Sequence, residues 1–354
     1  MNRPHFDWYL VIPFLVLMIF SLTILSSVAP QLLHDQVISV IVCLFVFLFF
    51  SAVDYELFFS LHWVSYISLL SLSLMTDFFG IISRGAQRWI YLGPFNFQPS
   101  EIIKPFLLIT FAAVASSEIK NKHLLLIILG VLPILSIYYQ PDLGTTLVVL
   151  VGWASTVVSR LSIKSSLVAG LIAVLIGVPV VMFGLHDYQR QRLVSFANPY
   201  SDPLGNGYHV IQSIIAVGSG QMIGRGLGHG TQTQLKFLPE HHTDFIFASI
   251  SEELGFIGAG LVLAFYAVMF WRIYRISQSV RDAKASLFCL SSMALLAFQT
   301  FVNIGMNLGL APITGITLPL LSYGGSSLVS VAIILGLINS ISRNSREDRM
   351  LIIH

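Results

Sequence analysis

Residues His186 to Glu253 read HDYQRQRLVSFANPYSDPLGNGYHVIQSIIAVGSGQMIGRGLGHGTQTQLKFLPEHHTDFIFASISEE. The stretch is dense in Gly, Pro, Asn, Asp, Gln, Arg and His, whereas the sequence on either side is nearly all apolar. A polar segment of this length between apolar runs implies a large loop held against a hydrophobic body. At its end, His242-Thr243-Asp244-Phe245-Ile246-Phe247 brings a carboxylate to the point where the chain re-enters an apolar helix. An ionisable residue at the edge of a membrane span is costly and by default marks a functional site. Asp244 is the leading candidate. The competing reading makes Asp244 the N-cap of that helix, with Thr243 beside it.

The rest of the composition agrees with a body in the bilayer. Of 354 residues, 55% are hydrophobic and 10% charged, and the mean hydropathy is +0.82. Soluble domains carry about 25% charged residues, so the chain reads as an all-α polytopic membrane protein. A net charge of +2 gives no argument for nucleic acid or an acidic partner. Cys43 and Cys289 lie inside apolar runs, with neither a disulfide framework nor a metal spacing. The one small-residue candidate for signal cleavage, Ser27-Val28-Ala29, is followed by Pro30, so the first apolar run is expected to stay as a helix.

A bilayer core asks for roughly 20 apolar residues per helix. That template places about ten spans, near 8–28, 36–53, 59–78, 101–117, 122–139, 143–160, 164–185, 246–271, 284–306 and 319–341. The large external loop, about 186–245, then lies between spans seven and eight. No internal repeat or second domain is visible, so 1–354 reads as a single transmembrane domain. Cytoplasmic loops carry the excess of Lys and Arg. With the N-terminus inside, the inside segments hold Arg3, Lys120, Lys122, Arg160, Lys164, Arg272, Arg275, Arg281, Lys284, Arg343, Arg346 and Arg349. The outside segments hold Arg84, Arg88, Arg190, Arg192, Arg225 and Lys236. Twelve against six places both termini in the cytoplasm and the polar stretch outside.

Gly80 to Ser100 reads GIISRGAQRWIYLGPFNFQPS, and its aromatics suit a loop lying in the membrane interface. Glu101 and Lys104 follow, three apart on one helical face, where they can neutralise each other or line a charged cavity. Asp142, in Gln140-Pro141-Asp142-Leu143-Gly144-Thr145, opens span six and can cap it. Glu101, Lys104, Asp142 and Asp244 all fall at the external ends of their spans. The segment from Asn303 through Ala311-Pro312-Ile313-Thr314-Gly315 to Ser322-Tyr323-Gly324-Gly325 is rich in Gly and Pro. It predicts broken or re-entrant backbone, tolerated at membrane depth only inside protein or along a wet cavity.

No P-loop, dinucleotide fingerprint, nucleophile elbow or HExxH is present. One carboxylate, cations at Arg190, Arg192 and Lys104, and a Gly-rich loop suit transfer from a phosphate-linked donor. The carboxylate takes a proton from an attacking hydroxyl, and cations or a metal hold the leaving pyrophosphate. Spans with intramembrane charges also fit a transporter.

The ordered motifs resemble one family. They run Arg84-Gly85-Ala86-Gln87-Arg88-Trp89, Gln98-Pro99-Ser100-Glu101-Ile102-Ile103-Lys104, Gln140-Pro141-Asp142-Leu143-Gly144-Thr145 and His186-Asp187-Tyr188-Gln189-Arg190-Gln191-Arg192. They continue with Asp202-Pro203-Leu204-Gly205, Phe237-Leu238-Pro239-Glu240, His242-Thr243-Asp244-Phe245-Ile246-Phe247, Glu252-Glu253-Leu254-Gly255 and Leu321-Ser322-Tyr323-Gly324-Gly325-Ser326. Over nearly the whole chain the sequence resembles the SEDS family, its RodA branch more than FtsW. The resemblance implies a ten-helix peptidoglycan glycosyltransferase that polymerises lipid II at the outer face of the cytoplasmic membrane during cell elongation. Asp244 would be catalytic, and Glu101 and Lys104 would line the cavity beside it. Asp142, Arg190, Arg192, His242 and Thr243 are the further expected substrate contacts. The resemblance also implies undecaprenyl-pyrophosphate as leaving group, support by a divalent cation (Mg or Mn, ligands unknown) and a class B penicillin-binding protein as partner transpeptidase. A lipid II flippase and an FtsW-like division role are the alternatives. Gln221 departs from the family pattern where Gly is usual, Thr317 where Pro is common, and His241 precedes the HTD motif.

Overall fold

The computed structural model describes residues 6–83, 86–92, 95–162, 164–165, 187–203, 205 and 207–352. Among them are thirteen α-helices. They are α1 (Trp8–Val28), α2 (Leu33–Ala52), α3 (Tyr55–Ser60), α4 (His62–Phe79), α5 (Pro99–Ser116), α6 (Lys122–Tyr139) and α7 (Leu143–Val158). Then follow α8 (Asp187–Ala197), α9 (Tyr208–Ser219), α10 (Thr231–Gln234), α11 (Ile246–Ser279), α12 (Ala283–Asn307) and α13 (Gly325–Ile352). Among the described residues seven helices are long and apolar enough to cross a membrane: α1, α2 with its preceding turn, α5, α6, α11, α12 and α13. The expected span at 59–78 forms as α4, and that at 143–160 forms as α7, a shorter apolar helix. The expected span at 164–185 lies outside the described residues except for Lys164 and Ser165.

Burial sorts the helices into layers. The apolar stretches of α5 and α13 are 78% and 89% buried, against 22% for that of α2. So α5 and α13 form the centre, with α2 packed on α13, α4 on α5, and α12 on both α5 and α7. Exposed large apolar side chains such as Ile41, Phe45, Ile67, Phe256 and Phe301 make the outer surface of this bundle hydrophobic, as a bilayer requires. Cys43 and Cys289 are free and buried.

The all-α body carries one small sheet where an interfacial loop is expected. Within Gly80–Ser100 the chain forms a three-stranded antiparallel sheet, β1 (Ile81–Ser83), β2 (Ala86–Leu92) and β3 (Phe95–Phe97), in that order. Ile81 pairs with Trp89, and Ile90 with Phe97. Trp89-Ile90-Tyr91-Leu92 is a β-branched and aromatic run that favours a pleated strand. Pairing the strands also satisfies backbone groups that an interfacial loop would leave open.

At the end of the bundle away from the polar segment, a latch joins the first helix to the last. Asp7, buried before α1, accepts from Arg272 Nε of α11 at 2.9 Å to each carboxylate oxygen and from Ser342 Oγ of α13 at 2.8 Å. Its own N–H donates to Asn339 Oδ1 at 3.0 Å.

The helix α11 is broken at Gly255, which has φ +67° and ψ −164°. The loop after α9 repairs the break. Phe256 N–H donates to Gln221 O (2.8 Å) and Ile257 N–H to Met222 O (3.1 Å), while Arg225 N–H donates to Glu252 O (2.9 Å) and Gly226 N–H to Glu253 O (3.0 Å). Gln221 itself sits at φ +51°, the left-handed region that glycine enters most cheaply.

Candidate active site

Asp244 stands just before α11, whose N-cap is Phe245 with no side-chain cap bond. The capping alternative for Asp244 is thereby set aside. What holds the residue is its backbone. The His242 carbonyl accepts from Tyr323 N–H (3.0 Å) and the Thr243 carbonyl from Ser322 Oγ (2.7 Å). The Asp244 carbonyl accepts from the amides of Asn303 and Asn307, each at 3.0 Å. Three consecutive carbonyls are thus strapped to α12 and to the turn before α13. Thr243 Oγ1 donates to Glu240 Oε2 at 3.0 Å, and the His242 ring lies 5.8 Å from that of Tyr323. Burial, with Asp35 adding to it, raises the Tyr323 hydroxyl above the usual tyrosine range.

The half-buried Asp244 carboxylate faces the loop before α13. A Cβ on Gly315 (φ +73°) would lie 3.7 Å from Asp244 Oδ2, so the loop comes close to the carboxylate at a residue that has no side chain. The broken segment expected around Pro312–Gly324 is present; its first part is half-buried with Gly315 exposed, and its second part is buried in protein, with Leu318, Leu320 and Leu321 almost fully covered. The same loop touches the start of α7: a Cβ on Gly144 would lie 2.9 Å from Ile316 Cγ1 and 3.0 Å from Thr314 O. Thr317 Oγ1 pairs with Ser327 Oγ at 2.9 Å.

Asp142 caps α7 as anticipated, accepting from Thr145 N–H (3.1 Å) and Thr145 Oγ1 (3.0 Å). It also accepts from Gln98 Nε2 at 3.0 Å, and Arg88 Nη1 lies 3.5 Å away while Arg88 Nη2 donates to Pro141 O at 2.8 Å. Strand β2 therefore carries a cation onto the start of α7. Glu101 and Lys104 form a buried ion pair within α5, Nζ to Oε2 at 2.7 Å, with the Lys104 side chain 2% exposed. Arg190 and Arg192 on α8 are exposed, and Arg192 Nη1 donates to Ile313 O at 3.2 Å. That bond sets a guanidinium on the loop that carries Gly315. On α9, burial and then the Arg192 charge lower the His209 imidazole below its usual value, opposed by Glu240.

Two carboxylates that the sequence reading left without a role organise the approach. Glu252 and Glu253 are fully buried. Glu252 accepts from the N–H groups of Gln232 (2.8 Å) and Thr233 (3.0 Å), the start of α10. Glu253 accepts from Ser27 Oγ of α1 (2.7 Å), Gly228 N–H (3.2 Å) and Gln234 Nε2 (3.2 Å). A buried carboxylate is costly unless it is hydrogen-bonded; Glu252 is held at both oxygens, whereas Glu253 is held through Oε1 alone, its Oε2 being buried with no hydrogen-bond partner among the described residues. Their effect is to fix the 228–234 loop that leads to the HTD motif. The structure thus brings Arg192, Asp244 and the start of α7 at Gly144 onto the loop that carries Gly315, while Asp142 is engaged by Gln98 and Arg88 and Glu101 and Lys104 are tied to each other within α5. Gln98, Arg88, Asn303, Asn307 and Ser322 were missed as partners because their signal is three-dimensional. Asn303 and Asn307, two amides four apart in an apolar helix, carried the one clue.

Among the described residues no three His, Cys, Asp or Glu side chains converge as a metal site.

The family that groups FtsW, RodA and SpoVE as cell cycle proteins matches residues 5–347. The peptidoglycan glycosyltransferase MrdB of Escherichia coli K12 is 38% identical over 356 residues, covering 96% of this chain and 94% of that one. Two solved structures share the fold. A chain of a peptidoglycan synthase complex that coordinates polymerization and crosslinking aligns at TM-score 0.82 and 33% identity, covering 96% of this chain and 98% of that one. The rod shape determining protein RodA of Thermus thermophilus aligns at TM-score 0.72 and 28% identity, covering 96% and 97%. With that match over residues 5–347 and 38% identity to MrdB across nearly the whole chain, this protein belongs to the FtsW, RodA and SpoVE family of cell cycle proteins, the SEDS family.

Proposed function

We propose that the protein is a RodA-type peptidoglycan glycosyltransferase that polymerises lipid II into β-1,4 glycan strands, with Asp244 as the general base. The observation that carries the assignment of the base is the strapping of His242, Thr243 and Asp244. It fixes the backbone of the motif and sets the carboxylate beside Gly315. Similarity to MrdB over nearly the whole chain supports the reaction class.

In this reading the 4-hydroxyl of the acceptor lipid II attacks C1 of the glycan on its lipid pyrophosphate. The new C1–O bond forms as the C1–O–phosphate bond breaks. The hydroxyl proton passes to the Asp244 carboxylate and the electron pair leaves with undecaprenyl-pyrophosphate. Attack from the face opposite the leaving group turns an α-linked donor into a β bond. A single base suffices because pyrophosphate leaves without a protonating acid, unlike the leaving groups handled by paired carboxylates in glycosidases. Arg192 on the Ile313 carbonyl is placed to meet phosphate charge, with Arg190 on the same helix. Asp142 and the Glu101–Lys104 pair shape the wall, and His242 and Thr243 the entrance. A divalent cation would ride on the substrate's phosphates with one or two carboxylates of the protein, as magnesium commonly does.

The distribution of Lys and Arg supports an orientation with both termini in the cytoplasm and the site at the outer face of the membrane. The synthase complex that shares this fold supports a class B penicillin-binding protein as partner transpeptidase, working in cell elongation.

The test is glycan polymerisation from labelled lipid II by the purified protein with its transpeptidase. General-base catalysis is worth roughly 10²–10⁴ in rate, so Asp244→Asn is expected to lose that factor while still binding lipid II. Polymer from Asp244→Asn within a few-fold of wild type would move the base to another carboxylate. Lipid II crossing vesicles with no polymer would favour a transporter.

A further inference from the structure

The amides that hold the Asp244 carbonyl do more than pack two helices. Asn303 and Asn307 stand one turn apart at the end of α12 and are both fully buried. In apolar surroundings each is costly unless its polar atoms are paired, and the pairing here is specific. Asn307 Nδ2 donates to Asp244 O (3.0 Å) and Asn303 O (2.7 Å), while Asn307 Oδ1 accepts from Ala248 N–H (2.9 Å). In an uninterrupted helix the Ala248 N–H would bond the carbonyl four residues back, which is that of Asp244. The Asn307 amide stands between those two groups as an inserted peptide unit, donor toward Asp244 and acceptor toward Ala248. Asn303 Nδ2 meets the same Asp244 carbonyl and also Ile316 O at 2.7 Å, one residue from Gly315.

The consequence is geometric. An amide placed inside the first turn holds Asp244 out from the helix that follows it, away from the N–H groups that a capping carboxylate would fold back upon. Phe245, without a side-chain cap bond, takes the N-cap position instead. Asn303 then fixes the Ile316 carbonyl, and with it Gly315, relative to the same Asp244 carbonyl. We infer that Asn307 and Asn303 are positioning residues for the transfer reaction: Asn307 opens the first turn of α11 so that the Asp244 carboxylate points off its helix, and Asn303 sets the distance from that carboxylate to the Gly315 loop. The inference rests on Asp244 being the general base.

The experiment measures lipid II polymerisation by the complex with its transpeptidase for Asn307→Leu, Asn303→Leu, Ser213→Ala and Asp244→Asn. Ser213 Oγ donates to Asn307 O at 2.8 Å from a fully buried site on α9, so Ser213→Ala removes a buried hydrogen bond from the same packing without touching Asp244. A misplacement of about 1 Å in a reacting group can cost about 10²-fold. The two Asn→Leu variants are therefore expected to lose roughly 10- to 100-fold in kcat with KM changed by less than about threefold, the pattern of an interaction felt in the transition state. Ser213→Ala is expected to keep kcat even where its melting temperature falls as far. Wild-type kcat in folded Asn307→Leu, or an equal loss in Ser213→Ala, overturns the inference. If Asp244→Asn is inactive in that case, the assignment of the base stands and only the positioning role falls. If Asp244→Asn polymerises normally, both fall. Should Asn307→Leu not fold, Asn307→Asp decides: it keeps the acceptor for Ala248 and sets an oxygen against the Asp244 carbonyl, so an unchanged kcat overturns the proposal and a loss at constant KM supports it.

Discussion

Replacing Gly255 with alanine puts the break in α11 to a direct test. Its φ of +67° with ψ of −164° lies in a region that is essentially open only to glycine, and a residue forced into such a region costs about 1–3 kcal/mol. The added Cβ would overlap Gly224 N and lie 2.7 Å from both Ile223 C and Met222 O. All three are backbone atoms of the segment that bonds to both sides of the break, so they cannot swing aside as a side chain would. Moving them breaks some of the four bonds that join Gln221–Gly226 to Glu252–Ile257. Losing two of these, at about 0.5–1.5 kcal/mol each, brings the expected cost to roughly 2–6 kcal/mol. Gly260→Ala is the matched control, because nothing lies within 4 Å of the added methyl and alanine favours a helix. The assay is thermal unfolding in detergent together with amide hydrogen exchange over 218–228. Gly255→Ala should melt several degrees lower and exchange faster in that loop, with Gly260→Ala at or above wild type. Equal melting and exchange for Gly255→Ala and wild type would refute the claim that the loop and the half-helices form one unit.

Two further outcomes follow from buried or partly buried charge. Lys104→Met leaves Glu101 buried beside an apolar side chain, a change that typically costs about 3–5 kcal/mol, whereas Glu101→Gln with Lys104→Met should recover most of the melting temperature. Polymerisation that returns with the double variant would make the pair structural, and stability without polymerisation would place it in the substrate cavity. His209 is held below its usual value by burial and by Arg192, so below about pH 6.5 the unfolded chain takes up a proton that the folded one resists. The melting temperature should therefore hold above that pH and fall as the pH drops through it. His209→Gln should flatten this part of the profile, and an unchanged slope would remove the residue from the pH response.

Most of the fold was legible because its signals are local. Apolar runs near 8–28, 101–117 and 284–306 became α1, α5 and α12 within a few residues, since burial and hydrogen bonding in a bilayer allow them little else. Asp142 as a cap and Glu101 with Lys104 as a pair could be read from spacing alone. The sheet at Ile81–Phe97 was hidden by the aromatic content that also marks an interfacial loop. The strapping of Asp244 was hidden for a different reason. Asn307 lies 63 residues from Asp244, and Ser322 lies 79 from Thr243. No local pattern connects such residues; the packing of α12 and α13 against the start of α11 does. Gly255 gave a signal, a glycine two residues after a pair of glutamates inside a helix, yet its meaning depends on a loop some thirty residues earlier.

The latch at Asp7 has a consequence for the order of assembly. Its arginine lies 265 residues further along the chain and its serine 335. At roughly 5–20 residues per second a ribosome needs about 13–50 s to cover the shorter interval. The first helix is therefore made long before the groups that bury its carboxylate exist, and it waits for α11 and α13 to be delivered. Closure of this end therefore waits for α13 and cannot start the fold. A chain cut short before Asn339 and Ser342 has every earlier helix, yet leaves its starting end unfastened.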